Sequence, residues 1–129
     1  MSEAKDAAEL FQNHRSELGF VNIAQCREKT LYTKYKNNEI VGAALVNHCV
    51  RKPQTTLYDV AVDDSHRRSG VAISLIQKIS SDSPHDKIIA KCPIDLEAMH
   101  FYRSTGWDLQ NVEDGKNTPL AVWKYQTNE

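Results

Sequence analysis

Residues 65–72 read Ser-His-Arg-Arg-Ser-Gly-Val-Ala, and this stretch decides how the chain around it folds. A hydrophobic, β-rich run, LYDVAV (57–62), precedes it, and apolar residues at helical spacing follow Gly70. The junction therefore predicts a turn from a strand into a helix. Such a turn exposes main-chain N–H groups at the positive end of the helix dipole, which favours binding of an anion. Arg67 and Arg68 add charged hydrogen-bond donors.

The turn has two interpretations. As a structural corner, it would leave both arginines in solvent. As an anion cradle, it would hold a pyrophosphate, with Gly70 allowing the backbone to come close to the ligand. The spacing fits neither GxxxxGK[ST] nor GxGxxG, which excludes the usual nucleoside-triphosphate and dinucleotide interpretations.

Composition limits the classes of protein to consider. The 129 residues predict a single domain over residues 1–129, with 40% hydrophobic and 26% charged residues, as in globular proteins. A net charge of −1 argues against a broad nucleic-acid surface. No apolar run approaches the roughly 20 residues of a membrane span, and the N-terminus does not resemble a secretion signal, so we expect a cytoplasmic protein. The three cysteines form no CxxC pair, which predicts free thiols and no structural zinc.

Hydrophobic periodicity and turn residues predict an alternation of helices and strands. The order indicates an α/β fold with an α+β mixed sheet and one parallel pair, and not an all-parallel sheet. The predicted elements are a helix over 3–17, a short helix over 21–27, a hairpin over 30–48 turning at Asn37-Asn38, a strand over 55–62, a helix from Val71, a strand over 87–92, a helix capped by Asp95 and ending before Gly106, and a closing hairpin around Asp114-Gly115.

Two motifs carry a resemblance to a known family. Residues 67–72, RRSGVA, resemble the R/Q-x-x-G-x-G/A signature of the GNAT superfamily of N-acetyltransferases. Residues 94–107, IDLEAMHFYRSTGW, resemble its second motif through Ala98, Tyr102 and Gly106-Trp107. Both motifs stand in the expected order and on the expected elements.

The resemblance implies a GNAT-like fold in which central parallel strands splay apart between flanking helices. It implies acetyl-CoA as cofactor, with its pyrophosphate on the signature loop and its pantetheine arm along strand 55–62. It also implies acetyl transfer by direct attack of a neutral amine, with a strand N–H polarising the thioester carbonyl. The implied cofactor-binding residues are Val60, Ala61, Val62, Arg67, Arg68, Ser69, Gly70, Val71 and Ala72.

Catalytic assignments are less specific. By the resemblance, Tyr102 would protonate the departing thiolate; the alternative is that it packs beside Phe101. The general base stays open between Asp59, Tyr58, His48 and a chain of water molecules. Cys92 is expected to be buried and structural, because no partner base accompanies it.

Departures from the family pattern concern the acceptor side. Asp95 stands where an asparagine is common, Arg68 replaces a small residue, and no strand is evident before the first helix. By the resemblance, the acceptor is an amine on a small molecule, a peptide or an aminoacyl group, and the sequence does not identify which. An alternative is a non-catalytic acyl-CoA-binding sensor. A homodimer is compatible with an amphipathic first helix and an exposed last strand.

Overall fold

The computed structural model describes residues 3–13, 29–66, 69–94 and 98–127. These ranges contain α1 (Glu3–Asn13), β1 (Thr30–Lys36), β2 (Glu39–His48), β3 (Thr55–Val62), α2 (Val71–Asp82), β4 (Lys87–Pro93), α3 (Ala98–Ser104), β5 (Asp108–Glu113) and β6 (Leu120–Gln126). Each was predicted from the sequence, with ends that differ by a few residues. The predicted helix over 21–27, the end of the first helix and the cap at Asp95 lie outside the described residues.

The strands form one mixed sheet in the order β1-β2-β3-β4-β6-β5. Strands β3 and β4 are parallel, and the other neighbouring pairs are antiparallel. Helix α2 connects the two parallel strands, so β3, α2 and β4 make the predicted βαβ unit. The α/β architecture with a mixed sheet is thereby confirmed.

The first hairpin turns at Asn37 and Asn38, which have φ angles of 54° and 67°. Asparagine tolerates this left-handed region, and two consecutive residues with positive φ match the twist of a two-residue hairpin turn. The turn sets the register in which Lys36 lies opposite Glu39.

The two faces of the sheet carry separate hydrophobic cores. On one face, α1 packs against β2 and β3, and the buried residues are Ala7, Ala8, Leu10, Phe11, Ala43, Leu45 and Ala61. On the other face lie α2 and α3, whose buried residues include Leu75, Ile76, Ile79 and Tyr102. Each side chain of the sheet thus belongs to the α1 face or to the α2 face.

Gly42 on β2 allows α2 to begin very close to the sheet. A Cβ atom on Gly42 would lie 2.5 Å from Val71 Cγ1 and 3.2 Å from Leu75 Cδ1. The first two turns of α2 therefore occupy space that a side chain on Gly42 would fill. This contact determines the height of the α2 N-terminus above the sheet.

The prediction of an exposed last strand is wrong. Strand β6 lies between β4 and β5, and Ala121, Val122 and Trp123 on it are buried. The second arm of the closing hairpin inserts beside β4, which leaves β5 at the edge of the sheet. Because α1 also packs onto the sheet, both features that suggested a homodimer serve the fold of a single chain.

Candidate active site

Strands β3 and β4 separate halfway along their length. They pair at Thr55 with Ile88, Thr56 with Ile89 and Leu57 with Ala90, and the pairing ends there. Residues 58–62 of β3 and 91–93 of β4 line the resulting opening. Strand β3 stays paired with β2 as far as Val62, so its alternate main-chain groups point away from β2 into the opening. Val60, Ala61 and Val62, the predicted pantetheine contacts, lie along this edge.

A β-bulge at Tyr58 changes which side chains face the opening. Leu57 lies opposite Val46, whereas Asp59 lies opposite Leu45, so Tyr58 is an extra residue in β3. Leu57 belongs to the core under α2, while the alternation after the bulge puts Asp59 on the α1 face with Leu45. A regular strand would have put Asp59 beside Leu57.

Asp59 is a half-buried carboxyl group at the beginning of the opening. Burial raises its pKa from 3.8 to about 7, and Lys29 acts in the opposite direction. The Nζ atom of Lys29 lies 4.8 Å from the centre of the Tyr58 ring. A carboxyl group with a pKa near neutrality can take up and release a proton at physiological pH, which is the requirement for a general base.

Tyr102 lies on α3 and is 6% exposed. Its ring is stacked on Trp123 at a centroid distance of 5.7 Å and meets Phe101 and Trp107 edge to face at 5.2 and 5.0 Å. Burial raises the pKa of its hydroxyl, and Cys92 and Asp59 act in the same direction. The structure shows the packed ring, while the raised pKa keeps the hydroxyl protonated at neutral pH; the role of Tyr102 as acid stays a prediction.

The end of α3 positions Tyr102 through its chain reversal. Gly106 has a φ of 92°, and Trp107 N–H donates to the Tyr102 carbonyl at 3.2 Å. This bond, with the contact between the two rings, is the Schellman ending of a helix. The glycine of the second sequence motif thus serves to bring Trp107 against Tyr102.

Cys92 is 5% exposed, as predicted for a structural cysteine. Burial raises the pKa of its thiol, and the Trp123 indole opposes this only in part. That indole N–H has no hydrogen-bond acceptor, so its approach to the sulfur is too loose to count as a bond. Cys92 Sγ lies 3.5 Å from Met99 Sδ. A thiol with a raised pKa in this setting is a packing group and not a nucleophile.

The N-terminus of α2 faces the same end of the sheet as the opening. Gly70 is the N-cap, with a φ of 86°, and no side chain caps the helix. The first helical bond joins Ser74 N–H to the Gly70 carbonyl at 2.9 Å, so the amides of residues 71–73 have no helical acceptor. The Ser69 hydroxyl donates to the His66 carbonyl. Arg67 and Arg68 lie outside the described residues.

The structure does not bring His48 to the opening. His48 lies opposite Thr55 at the start of β3, which is about 13 Å along the strand from Asp59. Its Nε2 is 3.0 Å from the Tyr32 hydroxyl, and its Nδ1 is 2.8 Å from Thr55 Oγ1. Burial lowers the pKa of this imidazole. Both nitrogens of His48 thus serve a hydrogen-bond chain that joins three strands.

Three parts of the site were missed in the sequence. Lys29 precedes β1 and carries no motif, the bulge at Tyr58 leaves no trace in the apolar pattern, and Gly42 sits in an ordinary hydrophobic run. Only Gly42 left a usable signal, since a glycine inside a strand often marks close approach of another backbone.

Comparison with known proteins agrees with this geometry. The model of the acetyltransferase (GNAT) family matches residues 3–107. The chain belongs to this family. The matched range contains the splayed strands, the uncapped N-terminus of α2 and all of α3. The GNAT fold is thereby established, and membership supports an N-acetyltransferase. A search of curated proteins finds no match.

Solved structures share this GNAT fold at low sequence identity. The ribosomal-protein-S18-alanine N-acetyltransferase from Escherichia coli has a TM-score of 0.72 at 12% identity, over 100% of this chain and 92% of that one. Ard1 from Thermoplasma volcanium has a TM-score of 0.77 at 16% identity, over 99% of this chain and 95% of that one. An aminoglycoside 6'-N-acetyltransferase complexed with coenzyme A has a TM-score of 0.78 at 10% identity, over 98% of this chain and 91% of that one.

Two further findings concern the described residues of this GNAT chain. None of their helices is long and apolar enough to cross a membrane. They also contain no group of three or more His, Cys, Asp or Glu side chains arranged to hold a metal ion.

Proposed function

We propose that this protein transfers an acetyl group from acetyl-CoA to a primary amine by direct attack. The observation that carries the proposal is the opening beyond Leu57, where the edge of β3 is free of β4, with Asp59 on that edge close enough to affect the pKa of Tyr102 on α3. These groups supply a base, an acid and N–H donors, the three functions that acyl transfer to an amine requires.

The residues around α2 fit the proposed cofactor. Gly70 leaves its surroundings open, since among the described residues no heavy atom beyond the chain neighbours lies within 4 Å of the position a Cβ would take. Its φ of 86° turns the chain so that the amides of residues 71–73 lie at an uncapped helix end, which suits a pyrophosphate. Ser69, Val71 and Ala72 would contribute main-chain groups here. We assign Arg67 and Arg68 as further phosphate ligands from their place in the signature.

Acetyl-CoA, when bound, would supply the activated acetyl group as a thioester. Asp59 would take a proton from the ammonium group of the acceptor and leave a neutral amine. A main-chain N–H among Val60, Ala61 and Val62 would donate a hydrogen bond to the carbonyl oxygen as negative charge develops on it. This role follows from the side of β3 that β4 leaves unpaired.

Tyr102 would give its hydroxyl proton to the departing sulfur. Burial raises the pKa of this hydroxyl, so the phenol is protonated at the start of each cycle. It would regain a proton from the acylated nitrogen, which loses one as the amide forms. Transfer would thus release one amide, one free CoA thiol and the proton that Asp59 accepted.

The acceptor is proposed only as an amine on a small molecule, a peptide or an aminoacyl group. Proteins of this fold differ here, since the names of two neighbours specify a ribosomal protein alanine and an aminoglycoside. We also propose that the protein works in the cytoplasm, where the free thiols of Cys49 and Cys92 would stay reduced.

Thermal unfolding with acetyl-CoA or CoA tests the binding step. A ligand at 100 times its Kd adds about 2.7 kcal/mol to the free energy of unfolding. No stabilisation by either compound would refute the proposal. Thiol release across a panel of amines then tests turnover: binding without thiol release from any amine would instead favour an acyl-CoA sensor.

A further inference from the structure

Lys29 and Asp59 are 30 positions apart in sequence, and strand pairing brings together the segments that carry them. Leu31 pairs with Leu45, and Leu45 pairs with Asp59, so these residues form a row across β1, β2 and β3. Lys29 directly precedes β1, two residues before Leu31, and its Nζ reaches the ring of Tyr58, the residue next to Asp59. The strand pairings and the contact with Tyr58 therefore bring a cation close enough for its charge to act on the proposed base.

Tyr58 determines where the charge of Lys29 sits. The Lys29 Nζ is 4.8 Å from the centre of the Tyr58 ring, within the range of a cation–π contact. Tyr58 is the bulge residue, so its ring leaves the regular alternation and is 47% exposed. The bulge thus turns Asp59 to the α1 face, and the ring of Tyr58, one residue earlier, contacts Lys29.

The ammonium group is near Asp59 but does not pair with it. Lys29 and Asp59 make no ion pair within 4.0 Å. A direct pair would occupy the carboxylate oxygens that must take the acceptor proton, and it would hold the proton affinity too low for a base. A cation held back on the ring favours the ionised carboxylate and leaves its oxygens free.

The other groups that face Asp59 do not duplicate this role. Leu45 on β2 is apolar, as is the α1 surface on that core. Tyr102 on α3 and Cys92 on β4 are titratable groups in this region, and Asp59 and Cys92 both raise the pKa of Tyr102; the phenol and the thiol are neutral when protonated. Among the described residues, Lys29 is the positive charge that acts on Asp59.

We propose that Lys29, held on the ring of Tyr58, is a positioning residue that favours the ionised form of Asp59, the form that acts as base. The catalytic consequence rests on the proposed function. The electrostatic part does not, because it can be measured in the free protein without turnover.

The test compares Lys29→Met with Lys34→Met, which removes the same charge from an exposed position on β1. The carboxyl carbon of Asp59 is followed by NMR against pH in protein with labelled aspartate, and Asp59→Asn identifies its signal. We expect Lys29→Met to move the titration midpoint upward by about 0.5 to 1 pH unit, with Lys34→Met unchanged and Lys29→Arg close to wild type. An unchanged midpoint in Lys29→Met would overturn the proposal, whether or not the protein turns over any amine.

Where an amine is acetylated, the pH profile of kcat/KM gives a second readout. Lys29→Met should move the acidic limb upward, so that the rate on that limb falls about three- to tenfold and recovers on the plateau at high pH. A uniform loss at every pH would mean a merely structural role and would overturn the assignment. If wild type itself acetylates no amine, the proposed function fails while the NMR result still decides the role of Lys29.

Tyr58→Leu tests whether the Tyr58 ring holds Lys29 in place. Without the ring, the Lys29 ammonium is free to pair directly with Asp59, so the midpoint should move downward and kcat should fall. A midpoint that stays or rises in Tyr58→Leu would remove Tyr58 from the proposal.

Discussion

Replacing Asp59 with asparagine should make the protein more stable at pH 8 and inactive at the same time. The amide keeps the size of the aspartate side chain but mimics its neutral form. Burial holds the pKa of Asp59 at about 7 in the folded chain, against 3.8 as its ordinary value. The folded state therefore binds a proton that the unfolded state has lost over the window from about pH 4 to pH 7.

The sign of the effect follows from this window. With more protons on the folded state, the free energy of unfolding falls as pH rises from about 4 to 7, then levels off. A difference of about 3 pKa units at about 1.4 kcal/mol per unit corresponds to about 4 kcal/mol. Solvent at a half-buried site reduces this number, so we expect a gain of about 1 to 4 kcal/mol for Asp59→Asn at pH 8, shrinking toward zero near pH 4.

Urea denaturation of both proteins at pH 4, 6 and 8 measures the difference, with Asp114→Asn, an exposed loop carboxylate, as the matched control. Thiol release at pH 8 supplies the activity. The reasoning is refuted if the gain in stability does not grow with pH, or if Asp114→Asn shows the same growth. Retained turnover in Asp59→Asn, despite the predicted gain, would remove Asp59 as base and leave the electrostatic argument standing.

Four further substitutions test other parts of the site. Tyr102→Phe keeps the ring stacked on Trp123, so the midpoint of unfolding should hardly change. Because the proton donor is lost, kcat and kcat/KM should fall together by about 10- to 1,000-fold. Unchanged kcat in steady-state assays would exclude Tyr102 as the acid. Gly42→Ala places a Cβ 2.5 Å from Val71 Cγ1, which should lower the free energy of unfolding by about 1 to 3 kcal/mol and weaken acetyl-CoA binding by shifting α2. Calorimetry on the double variant with Val71→Ala should recover both stability and binding. No recovery would contradict the steric reason. Gly70→Ala meets no atom of the described residues beyond its chain neighbours, but it forces a left-handed φ on alanine, so denaturation should show a loss of about 1 to 2 kcal/mol. No loss would mean that the turn can relax. Thr55→Val removes the hydroxyl between His48 Nδ1 and Ser83 Oγ, so urea denaturation should show a loss of about 1 to 3 kcal/mol with kcat unchanged. Thr55→Ser should stay near wild type. A loss of kcat in Thr55→Val alone would mean that this network contributes to catalysis.

The two asparagines at 37–38 and the glycines at 70 and 106 show what local sequence can predict. All four have positive φ in the structure, and each had been expected at a turn or a helix end. This information is local, because it depends on which residues tolerate a left-handed backbone. The same holds for the helix after Gly70 and for strand β3, whose patterns lie within one element.

The candidates for the general base show where local information ends. Asp59, Tyr58 and His48 were equivalent candidates, since each lies on or beside an inner strand. Separating them required the register of β2 against β3, which puts His48 at the closed end of the sheet, and the bulge, which turns Asp59 to the α1 face. Register depends on pairs of residues far apart in the chain, so no short stretch contains it.

The last strand was misplaced for a related reason. Its apolar residues predict a strand correctly, but they do not tell which neighbours it takes, and insertion of β6 beside β4 decides that β5 becomes the edge.

By itself, the sequence determined the family, the βαβ unit and the glycine turn at the start of α2, because backbone tolerance and apolar spacing depend on consecutive residues. The tertiary structure alone decided that β3 and β4 part after Leu57, that the charge of Asp59 acts on Tyr102, and that Lys29, held on Tyr58, acts on Asp59. Proton affinity depends on burial and on charges brought close by folding, so the chemistry of these side chains exists only once the strands have paired.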